Sequence, residues 1–310
     1  MDIPQEKLDQ LEQTIQATMQ ELEERRVADK KRSRIIALFV SLGIFILVWV
    51  KGVADNSAIQ GLMLSLISFP FLSLMINHYF TRGHNRTYKA KVVPVLVNTV
   101  IPGAQYTPKG LIQKSDLKES RLYNFKKGKC CSSEDSITGR IGKTDFLFSE
   151  VRITHQEDDG NGSSDTVYDL TGFVFVADFN KYFKGHTVLS SNKKNLDIDI
   201  GMFSSLKRCV LEDVKFEQLY TTYTTDDQQA RYILSPGLQH RIIELNSFFN
   251  YREMGISFYD DKMMILLDSN TDHFEVKYNL ESVKKDLMAL SLLCDIVEQM
   301  NLDLRIWSKE

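Results

Sequence analysis

The chain has 310 residues, 38 Lys and Arg against 41 Asp and Glu, and a formal charge of −3. That length suffices for one well-cored domain plus a substantial appendage, and the near-neutral balance argues against a nucleic-acid binder, which needs excess cations to displace phosphate counterions. The four cysteines, Cys130, Cys131, Cys209 and Cys294, show no C-x-x-C spacing, so neither a structural zinc site nor a redox pair is expected and a reducing compartment is the natural setting.

The first segment, residues 1–34, reads as an amphipathic helix. It contains no glycine, and no proline after Pro4. Leu8, Leu11, Ile15 and Leu22 fall on heptad seam positions, with Thr18 at the intervening one, a pattern suited to a short coiled coil, a homo-oligomer contact or packing on the chain's own domain. Nothing breaks it before Ile35, so the helix is expected to run straight on.

Residues 35–80 read as a two-helix transmembrane hairpin. Ile35 to Val50 carries no charge, and Gly52 to Ala54 extend it beyond Lys51, whose stem can snorkel. Ala58 to Phe80 is likewise free of formal charge, with Pro70 expected to kink it. Both runs are apolar all round, unlike a surface helix. Arg25, Arg26, Lys30, Lys31, Arg32 and Arg34 precede the first run and Arg82, Arg86, Lys89 and Lys91 follow the second, whereas the turn from Lys51 to Ser57 offers only Lys51. Cations resist translocation, which places both termini in the cytoplasm.

Residues 81–100 are expected to form a helical linker emerging from the bilayer, stopped at Ile101-Pro102-Gly103. The remainder, 101–310, reads as a cytosolic α+β domain. Strands are predicted at Ile137–Ile141, Asp145–Ile153 and Val167–Phe179, with a tight turn at Gly142-Lys143 and an acidic loop from Gln156 to Asp165. A strand from Lys215 to Tyr223 is followed by Thr225-Asp226-Asp227-Gln228, a capping pattern that opens a helix, and Ser235-Pro236 starts another over Pro236–Phe249, with Leu238, Ile242, Ile243 and Leu245 for burial. Strands at Gly255–Tyr259 and Met263–Leu267 flank the Asp260-Asp261-Lys262 turn. A strand near Phe274–Tyr278, an amphipathic helix from Leu280 to Met300 and a short extended Leu302–Trp307 complete the chain. Strand runs followed by helices imply mainly antiparallel pairing.

Phosphate-cradling and nucleophile-elbow patterns are absent, and no cofactor or metal is called for. His240 and Glu244 stand four apart on a predicted helix, a spacing that metal ligands use but that solvated pairs show far more often. The acidic loop lacks the glycine and glutamate offsets of a calcium loop.

Gly172 to Val188, GFVFVADFNKYFKGHTV, resembles a bacterial family of uncharacterised membrane proteins, the domain of unknown function family 3137. Its most specific part is Asp178-Phe179-Asn180-Lys181 followed by Phe183-Lys184-Gly185 and Thr187. Supporting blocks are Gly139-Arg140-Ile141-Gly142 leading to Phe148-Ser149-Glu150-Val151, and Leu211-Glu212-Asp213 leading to Ala230-Arg231-Tyr232-Ile233-Leu234-Ser235-Pro236. The resemblance implies a bacterial inner-membrane protein with a cytosolic domain and brings no known activity or site residues.

Read physically, Phe173, Phe175 and Phe179 fill a sheet core, while the polar residues make a turn bonded to its own backbone; Arg231 is expected to pair with Glu212 or Asp213. The alternative makes Asp178, Asn180, Lys184, His186 and Arg231 a ligand or partner site. The sequence therefore favours a membrane-anchored interaction or scaffold module. Its rivals are an enzyme acting on a membrane-proximal or nucleotide substrate, with Asp178, Lys184, His186 and Arg231 converging in an aromatic-walled cleft, and a lipid-handling module.

Overall fold

The computed structural model describes residues 5–55, 58–125, 128–158, 164–179, 182–191, 205–248, 251–269 and 274–305, without the side chains of 5–8, 10, 48, 49, 51–68 and 300–305. The chain divides into two units, one comprising Met1–Lys7, Leu96–Phe274 and Val283–Glu310, the other Leu8–Val95 and Glu275–Ser282.

The helical unit is built on α1 (Gln5–Asp55) and α2 (Ala58–Lys91). As expected, α1 runs unbroken from its polar half into the apolar run. Leu11, Ile15, Met19 and Leu22 are buried, so the buried stripe selects Met19 where the heptad placed Thr18. Helix continues through Lys51 to Asp55 rather than turning at Lys51, and α2 continues through Pro70. Among the described residues, no helix is long and apolar enough to cross a membrane. The uncharged stretch of α1 between Arg34 and Lys51 covers about 24 Å of helix at 1.5 Å per residue, less than a hydrocarbon core of about 30 Å, and the side chains that would extend it lie outside the described set. α2 ends just before α3 (Val93–Val100), where Pro94 lacks an N–H and its ring opposes the carbonyl four residues back.

The other unit is organised by a nine-stranded sheet, order β1-β2-β3-β4-β9-β8-β5-β7-β6, in which every pairing is antiparallel. In chain order the strands are β1 (Gln105–Lys109), β2 (Cys130–Ile141), β3 (Thr144–Asp158), β4 (Ser164–Asp178), β5 (Thr187–Ser191), β6 (Lys207–Cys209), β7 (Tyr220–Thr224), β8 (Glu253–Tyr259) and β9 (Lys262–Asp268). The α+β, mainly antiparallel expectation therefore holds for this unit. β1 contains Pro108, which an edge strand tolerates because one side needs no ladder donor. β3 and β4 extend beyond the expected boundaries into the acidic loop, whose tip, 159–163, lies outside the described residues.

One sheet face meets Leu117, Leu122, Val151, Val174, Val188 and Met264 in a common core. The other carries the alternating aromatics: Phe148 packs on Phe173 at 4.8 Å and Phe146 stacks on Phe175 at 5.7 Å between ring centroids. β8 is buried throughout and β9 from Met263 onward, so the sheet centre is covered on both faces. Gly172 allows β4 its close approach to β9, since a Cβ there would lie 1.8 Å from the Leu267 carbonyl oxygen.

Helices α4 (Lys114–Glu119), α5 (Val214–Leu219), α6 (Asp227–Ile233), α7 (Pro236–Phe248) and α8 (Leu280–Arg305) complete the chain. Three expectations are corrected. Most of Lys215–Tyr223 is helix α5, because Asp213 caps it by accepting from the Lys215 and Phe216 amides, and only its end is strand β7. Phe274–Tyr278 is not a strand. Leu302–Arg305 belongs to α8 rather than to an extended tail, while 306 and 307 lie outside the described residues. By contrast α6 opens one residue beyond where the capping pattern put it, with Asp226 in place of Thr225 as the cap and accepting from the Gln229 amide, and α7 buries Leu238, Ile242, Ile243 and Leu245.

Candidate functional site

Of the residues singled out from the sequence, Asp178, Lys184 and His186 lie around the turn between β8 and β9 and the connection from β4 to β5, whereas Arg231 stands on α6. Asp260 takes positive φ, 50°, at that hairpin turn. Its carbonyl accepts the Phe183 amide at 2.5 Å and the Asp261 carbonyl accepts the Phe179 amide at 2.6 Å, so the connection is stapled to the turn by backbone bonds. Phe179 and Phe183 are buried and meet edge to face, and Phe183 meets Phe258 the same way. Gly185 has φ +78°, and a Cβ there would approach Thr225 Oγ1 to 2.4 Å. Thr225 Oγ1 accepts the His186 amide at 2.8 Å and the Thr225 amide donates to the His186 carbonyl at 3.0 Å.

His186 is half-buried. Its ring stacks on Tyr259 with 5.3 Å between centroids, and Nε2 lies 2.8 Å from Ser257 Oγ and 3.1 Å from the Ser120 carbonyl. Desolvation lowers its pKa to about 4, against the raising effect of the Ser120 carbonyl, which keeps the imidazole neutral near pH 7. Asp178 is exposed at the end of β4, in register with Lys262 and Asp145; partial desolvation and then Asp261 raise its pKa. Lys184 is exposed. Asn180 lies outside the described residues. Arg231 is engaged where it stands: Nε donates to Asp227 at 3.1 Å, one terminal nitrogen to the Val210 carbonyl at 2.7 Å and the other to Glu212. Among the described residues, no hydrogen bond or ion pair joins any two of Asp178, Lys184, His186 and Arg231. The structure thus gathers the loop that carries three of them but does not join them into an acid–base constellation.

The remaining sequence candidates resolve as local pairs. His240 and Glu244 form an exposed contact at 3.2 Å in which Arg241 also binds Glu244. Cys209 is buried and its thiol is pushed up to about 12 by burial and then by its hydrogen bond to Asp227, so it is no nucleophile.

Two polar clusters escaped sequence reasoning. At the irregular register of β2 on β3, Glu134, Asp135 and Glu150 bring ligand oxygens within 4.8 Å of one another. Arg152 pairs with Glu134 and Tyr106 donates to Asp135. Only the polar run Ser132 to Ser136 hinted at a bulge. In the helical unit, His84 is 6% exposed. Its Nε2 lies 3.0 Å from Asp29 Oδ2 and its Nδ1 3.0 Å from Tyr278 Oη. The Arg26 guanidinium covers the Tyr278 ring at 4.5 Å, Lys89 pairs with Glu275 at 3.0 Å, and the Val276 amide donates to Asn85 at 3.2 Å. These bonds clasp residues 275–278 to α1 and α2, which explains why the alternating Phe274–Tyr278 pattern does not form a strand.

With that geometry established, residues 168–302 match the model of a family described as protein of unknown function (DUF3137). The match covers less than half of the chain. It contains the β4–β5 connection, the Arg231 cluster and the residues clasped to the helices, whereas Gly139–Gly142 lies before it. No curated protein matches the chain. Among solved structures, the trehalose monomycolate transport factor A of mycobacteria aligns with a TM-score of 0.35 and 10% identity, over 68% of this chain and 96% of that one, a likeness too distant to support an argument. Within the matched stretch, Phe179 and Phe183 fill a core, Gly185 and His186 hold a loop, and Asp213 caps a helix.

Proposed function

We propose that this protein is a membrane-tethered interaction module, whose α1–α2 hairpin inserts in the bacterial inner membrane and whose α+β unit faces the cytoplasm to bind a protein partner. The observation that carries the reading is the solvent-facing apolar surface of the two helices: Leu38, Phe39, Leu47, Phe71 and Leu74 are each 55–71% exposed. Water penalises such a continuous apolar surface, at about 25 cal/mol per Å², and lipid does not. The unbroken helical backbone of α1 as far as Asp55 is compatible with it. The cations on both flanks favour cytoplasmic termini. A binding rather than catalytic role is supported by the engagement of Arg231 and His186 in fold-maintaining contacts.

Crosslinking the full chain in native membranes tests the interaction half of the reading. A discrete protein adduct through the α+β unit is expected. Recovery of the chain with neither a partner nor a second copy would overturn it.

A further inference from the structure

The polar half of α1 ends in a groove that the membrane reading does not by itself require. Arg26, Lys30 and Arg34 form one row at four-residue spacing and Val27, Lys31 and Ile35 the adjacent row; together they line an open groove of about 450 Å³. Its charge is segregated. Glu21 and Glu23 pair with Arg25 and Arg26, Gln20 holds Glu24, and Asp29 is held by His84. Among the described residues, no carboxylate lies within ion-pair distance of Lys30, Lys31 or Arg34, and all three are exposed. Beyond Ile35 the same side of the helix continues in Leu38, Phe39 and Leu42, exposed by 55, 66 and 49%. Unpaired cations therefore run directly into an uncovered apolar stripe on one helix face.

That sequence of surfaces is complementary to an amphiphile with a negative head and a hydrocarbon tail. A soluble anion would use the cations and leave the stripe idle; a zwitterionic lipid would bring an opposing positive charge against Lys30 and Lys31. We infer that the groove is a binding site for an anionic glycerophospholipid, its phosphodiester between Lys30, Lys31 and Arg34 and an acyl chain along Ile35, Leu38 and Leu42. The inference rests on the membrane-tethered reading and adds a lipid preference to it.

The test is native mass spectrometry of the full chain in detergent, titrated with phosphatidylglycerol, phosphatidylcholine or inorganic phosphate. Wild type is expected to bind phosphatidylglycerol at least tenfold more tightly than phosphatidylcholine. K30Q/K31Q/R34Q should lose that preference, Lys31→Glu alone should weaken it severalfold, and K207Q/K215Q, which removes two exposed cations elsewhere, should keep it. Lys31→Glu changes one exposed side chain and serves if the triple variant does not fold. Equal binding of the two lipids, an equal loss in K207Q/K215Q, or displacement of the lipid by millimolar phosphate would overturn the inference. Alkaline extraction of the same chain separates the two ideas: release from membranes with the lipid preference intact removes the tether and leaves the site, whereas retention without preference does the reverse.

Discussion

The two units solve opposite problems. In the sheet unit two of the family-like polar residues are engaged where they stand, His186 stacked on Tyr259 and Arg231 holding Val210, Glu212 and Asp227 together, while Gly185 turns the loop. In the helical unit the apolar residues Phe39, Leu47 and Leu74 face outward and the cations Lys30, Lys31 and Arg34 lack a partner among the described residues. The contrast teaches that a recognisable sequence segment and a functional surface need not coincide.

Substitutions of buried contacts in either unit should therefore cost stability, and substitutions of the outward residues of the helical unit should cost attachment. The largest loss is expected at Gly172→Ala, whose new Cβ collides with the Leu267 carbonyl across the β4–β9 pair. Overpacking against backbone should destabilise by about 3 kcal/mol, read as a lower urea midpoint for the full chain in detergent. His84→Ala comes next. It strips Asp29 and Tyr278 of a buried partner at a cost of about 2 kcal/mol, and hydrogen exchange should quicken at residues 275–278 while the sheet stays protected. If the sheet amides quicken equally, the clasp is not a local device.

His186 supplies a pH signature. Its folded pKa of about 4 lies below the ordinary 6.5, so the unfolded chain binds the extra proton between those values and stability is complete above about pH 6.5. As pH falls towards 4, stability should drop by up to about 1.4 kcal/mol per pH unit from this group, levelling below it. His186→Gln should flatten that part of the unfolding curve; an unchanged slope would mean that the imidazole is not desolvated. The smallest effect belongs to Arg231→Ala, exposed and ion-paired, which should leave the urea midpoint nearly unchanged. A loss of partner crosslinking far beyond that stability change would make Arg231 a contact residue and weaken the contrast between the units.

How much of this was legible in the sequence depends on the range of the deciding contact. Ser235-Pro236 and Asp226 act on their own helix, so α6 and α7 could be read directly. The half of β2 from Cys130 to Ser136 has no apolar alternation and is a strand because β3 pairs with it; it was not legible. The alternating residues of Lys215–Tyr223 suggested a strand throughout, but the local Asp213 cap decides for helix through Leu219. Phe274–Tyr278 also alternates, and only its bonds to Asn85, Lys89 and His84 explain why it is not one. For the candidate site, the pairing of Arg231 with Glu212 was foreseeable from their proximity in the family-like block. The stacking of His186 on Tyr259 was not, because it depends on how β5 pairs with β8.

The central claim is that the outward apolar faces of α1 and α2 lie in a bilayer. Alkaline carbonate extraction of membranes containing the full chain tests it most directly, since carbonate strips peripheral proteins and leaves inserted helices. The account predicts that the chain stays in the pellet and is released only by detergent. Recovery in the carbonate supernatant would contradict it and would require a protein partner to cover Leu38, Phe39, Leu47, Phe71 and Leu74.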